Sequence, residues 1–403
     1  MNNEQELLYK LAITLVPNIG SKTAHSLMEH FGTAHNIFKA PLKEIKNIES
    51  MGEVKAKGFR DEKVMQMAEE ELKYIEKHNI QLLFSTDEKY PARLRECVDG
   101  PFLLYSKGTA DLNTSKMVAI VGTRKNTEYG QRITDDLIEG LQGQEGITIV
   151  SGLAHGIDTI AHKKSLSLNI PTVGVLGTGM DRTYPVSNKK LANDMVHNGG
   201  GILTEFNHGM VPEKGMFPRR NRVVAGMCDV TVVVESDISG GALITARMAS
   251  GYNREVAVFP GRVTDNRSAG CNELIRTNIA ALINNADDLL ELMNWNKGKK
   301  TKAVQKQLFI NLAPEEQQII DLLQTKDFVH ADELFHHTGL ANSQSCTNRF
   351  RKSSRALYCY LVHSVAGDQL HSISFCAFFA NYSRRDADSS RRSYSYFLEG
   401  NVI

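Results

Sequence analysis

The sequence predicts an α/β protein: a parallel sheet between layers of helices, preceded by a small all-α region and followed by a second helical one. Three observations carry the prediction. Between residues 117 and 261 apolar runs of four to seven residues, rich in Val and Ile, follow one another: MVAIVG, ITIVSG, TVGVLG, GILTEF, VTVVVES and EVAVFPG. The runs show no polar alternation, which marks strands buried on both faces. They give way to glycine-bearing turns and then to helix-length segments, and such alternation builds right-handed βαβ units and a parallel sheet. Ligands of these sheets lie outside the carboxyl ends of the strands, where the glycines and the Arg, His, Asp and Lys residues of this chain fall.

Taken in order, the chain opens with a helix over 7–15, broken at Val16-Pro17-Asn18-Ile19-Gly20. Ser21 is a good N-cap for a helix through His30, with Ala24, Leu27, Met28 and Phe31 on its apolar face. Helix, Pro-x-x-Gly turn, helix resembles a helix-hairpin-helix or SAM-type module, in which backbone N–H groups at the turn hold a DNA phosphate. A weaker second copy runs over 42–59, with Ile45, Ile48, Met51-Gly52 and Lys55. A helical bundle that touches no DNA fits the same pattern. Residues 61–78 form one amphipathic helix, with Val64, Met67, Ala68, Leu72 and Ile75 three or four apart. Strands follow over 80–84 and 102–105, separated by an irregular connection at Tyr90-Pro91 and a turn at Asp99-Gly100-Pro101.

In the central region a helix over 128–141 carries Tyr129, Ile133, Leu137 and Leu141 as one stripe. The turn before it, Gly122-Thr123-Arg124, presents N–H groups at a helix start. The second turn runs from Ser151 to Asp158, with Asp158 as N-cap. The third, Gly177-Thr178-Gly179, leads to Tyr184-Pro185 and Lys189-Lys190. Gly199-Gly200-Gly201 stops the next helix. Pro218 stands at the first position of a helix whose first turn carries Arg219, Arg220 and Arg222. Cations there oppose the helix dipole, so an anion among them is expected. Helices over 271–283 and 286–292 complete the region.

The chain has 403 residues, enough for two or three domains, with Lys plus Arg at 47 and Asp plus Glu at 46. A net charge of +1 excludes a generally sticky polyanion binder and confines any such site to a local basic patch. The N-terminal residues are polar and no run approaches a membrane span, which predicts a cytoplasmic protein. Six cysteines show no CxxC pair and no metal spacing, as in a reduced protein without a metal. No Walker lysine follows any turn, and Gly-Thr-Arg is not GxGxxG, so no cofactor is expected. The domain boundaries expected are 1–80, 81–296, a Lys-rich linker at 297–310 and a C-terminal region at 311–403. Helices starting near 313, 331 and 343 resemble the helical part of a winged helix. Past Arg351 the sequence shows no helical or strand period and no hairpin signal; a shifted reading frame and a divergent tail both account for this.

SGLAHGIDTIAH at 151–162, GVLGTGMDRTYPVSN at 174–188, FPRRNRVVAG at 217–226 and GGALITA at 240–246 resemble the DprA/Smf family of DNA-processing proteins. VGTRKNTEYG at 121–130 and GCNELIR at 270–276 fit the same ordered pattern. The resemblance implies an extended Rossmann-like domain that binds single-stranded DNA, a helical N-terminal module and a C-terminal winged helix. It implies that the protein protects incoming strands in natural transformation and loads the RecA recombinase on strands coated by single-strand-binding protein, as a homodimer. The candidate phosphate-contacting residues are Gly122, Thr123, Arg124, Ser151, Gly152, His155, Gly156, Gly177, Thr178, Gly179, Lys189, Arg219, Asn221, Arg222, Gly240, Gly241 and Thr245. Glycines let backbone N–H groups approach an anion closely. Tyr184 and Phe217 can stack on unpaired bases, and ordinary packing is an equally good role for Phe217. The alternative is enzymatic. SGGALITARMAS resembles the turn of LOG-type nucleotide phosphoribohydrolases, and His155 with Asp158 suggests acid–base work. Their PGGxGTxxE signature is altered here, with no Glu after Thr245, so no catalytic residue is assigned.

Overall fold

The computed structural model describes residues 3–48, 51–295 and three short strands beyond. Six helices come first: α1 (Asn3–Leu15), α2 (Ser21–Phe31), α3 (Ala34–Lys39), α4 (Leu42–Lys46), α5 (Glu53–Gly58) and α6 (Glu62–His78). An edge pair follows, β1 (Gln81–Phe84), α7 (Ala92–Arg95) and β2 (Leu103–Gly108). The alternating part comprises β3 (Lys116–Val121), α8 (Glu128–Gly140), β4 (Ile147–Ser151), α9 (Ile157–Ser167), β5 (Thr172–Val175), α10 (Lys189–His197), β6 (Gly201–Thr204), α11 (Met216–Gly226), β7 (Val230–Val233), α12 (Gly241–Gly251) and β8 (Glu255–Val258). It closes with α13 (Ala269–Arg276), β9 (Ala281–Leu282) and α14 (Ala286–Leu292).

One sheet of nine strands results, ordered β1-β2-β6-β5-β4-β3-β7-β8-β9. All pairs from β6 to β9 are parallel, whereas β1–β2 and β2–β6 are antiparallel. The chain moves outward from β3 to β6 on one side, then returns to place β7 beside β3, with Val118 opposite both Ile149 and Val230. The carboxyl ends of β3, β4 and β7 therefore flank the point where the strand order reverses.

The unbroken apolar runs are explained by burial on both faces. Along β3, Met117, Ala119 and Val121 enter one core while Val118 and Ile120 enter the other, the alternation a pleated strand imposes. The first core receives Val223, Val224, Ala242, Ala246 and Ala249 of α11 and α12. The second receives Leu137, Ile138, Ile157, Ala161, Leu289 and Leu290 of α8, α9 and α14. The N-terminal helices share a third core with the edge pair, where Leu11, Leu27 and Ile37 meet Phe84, Phe102 and Tyr105.

Several local expectations need correction. Ser21 is the first residue of α2, and Gly20 is its N-cap without a side-chain bond. Pro218 is the third residue of α11, which begins at Met216; a missing N–H is harmless anywhere in a first turn, because those donors have no helical partner. Asp158 does not cap α9: Gly156 stands there, and the Asp158 carboxylate turns back to the preceding loop. The helix expected over 271–283 ends at Arg276, because Asn278 takes a left-handed conformation and the chain enters β9.

Two units divide the chain, Met1–Lys299 and Lys300–Ile403. In the second, β10 (Phe328–His330), β11 (Arg349–Ser353) and β12 (Ala356–Tyr358) pair antiparallel in that order. Strands thus lie past Arg351, where the sequence showed no period. The expected linker and the helices near 313, 331 and 343 fall outside the described residues. Among the described residues no helix is long and apolar enough to cross a membrane.

Candidate nucleic-acid interface

A cleft of about 480 Å³ opens at the strand-order reversal. Its walls are the turns that leave β3 (Gly122 to Lys125), β4 (Gly152, Ala154) and β7 (Ser236, Asp237), with α11 (Arg220, Asn221, Val224) and the start of α12 (Gly240, Gly241, Ala242, Thr245). The short apolar runs deliver these turns to one edge because β3, β4 and β7 are parallel and paired side by side.

The floor is a buried charge pair. Arg220 is 5% and Asp158 7% exposed. Arg220 Nη1 donates to the carbonyl oxygens of Gly152 and Val175, and Nε donates to Asn221 Oδ1 at 3.1 Å. Asp158 Oδ2 accepts from the N–H groups of Gly152 and Ala154, at 3.1 and 3.3 Å. Burial pulls the Arg220 guanidinium down to about 10, against the attraction of Asp158 and with the repulsion of Arg124, so it stays charged at neutral pH. Burial also raises the Asp158 carboxyl, with Arg220 and the N–H donors opposing. Any Cβ at Gly152 would come within 2.6 Å of Arg220 Nη2 and 2.7 Å of Asp158 Oδ2, so only glycine lets the pair close over this turn.

The next residue, Leu153, is left-handed at φ 55°, a costly conformation for a bulky side chain. It is held by the Asp158 bonds on either side and by Asn188 Nδ2, which donates to the Leu153 carbonyl at 2.9 Å. Gly156, at φ +76°, lets the backbone of Thr123 and Arg124 pack directly on the α9 entry, where Ile157 N–H donates to Thr123 O at 3.2 Å. Below, Glu235 is fully buried and accepts from the Thr127 N–H and hydroxyl, which fixes the first turn from beneath.

Above this floor the exposed groups include cations and aromatic rings, with the Asp237 carboxylate on the β7 side. Arg124 and Lys125 are exposed at the rim. The Arg124 guanidinium lies 5.9 Å from the Phe217 ring centre, and the Tyr184 and Phe217 rings are 5.4 Å apart. His155, Tyr184, Pro185 and Phe217 share a small adjoining hollow with Arg124 and Arg220. Gly241 is exposed and opens α12 with nothing within 4 Å of where a Cβ would stand.

The expected residues separate into groups. Gly122, Thr123, Arg124, Gly152, Asn221, Gly240, Gly241 and Thr245 line the cleft; His155, Tyr184 and Phe217 border it. Ser151 and Gly156 support it from within, Ser151 Oγ donating to Ile120 O at 2.6 Å. Gly177 packs under the Phe217 ring, while Thr178 and Gly179 shape their own turn against Arg182 O and Asn207 O. Lys189 is exposed at the start of α10 and lines neither cavity. Arg219 and Arg222 turn away: both pair with Glu205, and Arg222 is buried. The anion expected among the arginines is, for these two, the protein's own carboxylate. Arg220 and Asp158, the centre of the floor, were absent from the expected set. Helical phase was the available signal: Phe217, Arg220, Asn221 and Val224 recur every three to four residues on one face of α11, and Arg219 and Arg222 do not share it.

A family model for DNA recombination-mediator protein A matches residues 81–294, which holds the whole cleft. The chain belongs to the DprA/Smf family. It is 40% identical to the DNA processing protein DprA of Streptococcus pneumoniae over 204 residues, 51% of this chain and 71% of that one. It is 37% identical to the protein Smf of Synechocystis over 293 residues, 70% of this chain and 71% of that one. The X-ray structure of the S. pneumoniae DprA superposes with a TM-score of 0.58 at 32% identity, covering 72% of this chain and 98% of that one. The nine-stranded, mostly parallel sheet is thus a DprA-type fold.

Proposed function

We propose that the protein binds single-stranded DNA by its phosphates in the cleft at the carboxyl ends of β3, β4 and β7, with bases against Tyr184 and Phe217. One observation carries the reading: a buried guanidinium, Arg220, held through Nε and Nη1, lies under exposed Arg124 and Lys125 and beside the start of α12, where N–H groups and helix dipole favour an anion. Aromatic rings beside a cationic groove suit unpaired bases, whose faces a duplex hides. Membership of a recombination-mediator family supports a role in processing DNA for recombination. In that role the protein protects incoming strands during natural transformation and, as a cytoplasmic homodimer, loads RecA on strands coated by single-strand-binding protein. A gel shift with single- and double-stranded oligonucleotides over a salt series tests the binding; equal affinity for both forms rejects the reading. RecA loading predicts faster RecA filament assembly on coated strands when the protein is added; unchanged assembly with DNA binding intact leaves strand protection alone. Against the phosphoribohydrolase alternative, Asp158 is buried and accepts from two N–H donors while His155 is exposed. Release of ribose 5-phosphate from AMP would reinstate it.

A further inference from the structure

The turn between α1 and α2 resembles a DNA-phosphate site, yet its positive end faces the sheet. The start of α2, Gly20, Ser21 and Ala24, shares a cavity of about 60 Å³ with Phe102, Glu205 and Arg219. The Glu205 side chain is 2% exposed. One of its oxygens, Oε2, accepts from Arg222 and from Arg219 Nη2 at 2.8 Å; the other, Oε1, has no hydrogen-bond partner among the described residues. A buried carboxylate oxygen without a partner is costly, and the first-turn N–H groups of a helix are donors without helical acceptors. The cavity has room for about two water molecules, each occupying roughly 30 Å³. The rest of α2 is seated by other contacts: Thr23, Ala24 and Leu27 are buried, and His25 Nε2 is 2.8 Å from Ser85 Oγ and rests edge-on to Phe102.

We infer that the start of α2 is an internal docking site for Glu205: bridging water joins the unpartnered carboxylate oxygen to the α2 N–H groups, and this latch holds the helical layer on the sheet edge. The anion-binding end of the hairpin is thereby used within the protein. The two ends of the arrangement complement each other electrostatically, a helix N-terminus against a carboxylate. The same carboxylate orients Arg219 and Arg222, so one buried group ties α11, β6 and the N-terminal helices together.

Ser21→Asp tests this, because an acid at the first helical position favours a free helix start and opposes a carboxylate facing it. The latch predicts faster amide exchange across α1 and α2, by roughly tenfold, and unchanged affinity for single-stranded DNA. Glu205→Gln removes the facing charge, and in that background Ser21→Asp should no longer speed exchange; this coupling distinguishes docking from a general packing fault. Unchanged or slower exchange in Ser21→Asp, the same acceleration in the Glu205→Gln background, or a loss of DNA affinity in Ser21→Asp overturns the inference. Arg124→Ala in the same binding assay reports on the cleft separately, so failure of the cleft reading and of the latch are told apart.

Discussion

At the scale of single residues, the cleft separates cations that hold the protein together from those free to meet a ligand. Arg220 and Arg222 are buried and bonded; Arg124 is exposed, and its nearest ring partner is Phe217. Arg124→Ala should weaken single-strand binding equally for all sequences, since phosphates carry no base information. One lost phosphate contact should flatten the log–log salt dependence by roughly 0.7 for a single strand. The melting temperature should hardly change, and Arg124→Lys should recover part of the affinity, because a point charge does not reproduce a fork. Wild-type affinity in Arg124→Ala would remove this residue from the interface. His162 illustrates a residue with a structural task. Thr172 donates its hydroxyl to Ile149 O at 3.0 Å, so His162 Nδ1 must donate to Thr172 Oγ1, which leaves Nε2 unprotonated, buried and without a partner among the described residues. Burial, helped by Arg220, lowers this imidazole to about 3. The folded-state value lies below the unfolded one, so the stability is fully present above pH 6.5 and is lost as pH falls towards the folded value. By pH 5 the loss is about 2 kcal/mol, at 1.36 kcal/mol per pH unit. Denaturant unfolding of wild type and His162→Gln at pH 7 and pH 5 should show that much less pH dependence in the variant. The sequence showed which residue types gather at the cleft. The residue types alone did not show which arginine lies under the cleft: Arg220 and Arg222 are both buried, and only helical phase puts Arg220 on the cleft side.

At the scale of elements, the parallel strands were legible because burial on both faces leaves runs such as MVAIVG without a polar residue. The antiparallel direction of β1 and β2 was not, because pairing to β6 is decided by contacts far apart in sequence. Helix starts were misplaced at Ser21, Asp158 and Pro218 for one reason: Ser, Asp and Pro are each acceptable at several first-turn positions, and tertiary partners choose among them. The start of α12 supplies an element-scale prediction. Gly241 is the first residue of an 11-residue helix, its added Cβ would meet nothing in the protein, and it lines the cleft. Gly241→Ala should therefore leave the melting temperature unchanged or slightly raised, since alanine lowers the entropy of the unfolded chain by about 0.4–1 kcal/mol where the backbone accepts it. Single-strand affinity should fall, because the methyl group occupies the space through which a phosphate reaches the helix N–H groups. Thermal melting and gel shift on the same sample check both; undiminished affinity would show that the ligand does not approach α12.

At the scale of the whole molecule, the apolar cores of the described residues span from Leu11 to Leu290, within the unit Met1–Lys299. The boundary expected near residue 80 follows a change from helical to strand periodicity. What crosses it is a core shared by Leu11, Leu27, Phe84 and Phe102, made of contacts that no local pattern announces. The α1–α6 layer should therefore unfold together with the sheet. A chain ending at Lys299 should melt in one cooperative transition, by calorimetry, with the calorimetric and van't Hoff enthalpies equal. Its affinity for single-stranded DNA and the slope of its salt dependence should equal those of the full chain, because every residue lining the cleft lies before residue 250. Two resolved transitions in the shortened chain would show that the N-terminal helices form a separate unit and that the shared core couples them only weakly to the sheet. A shortened chain that melts as one unit but loses single-strand affinity would place part of the interface beyond Lys299.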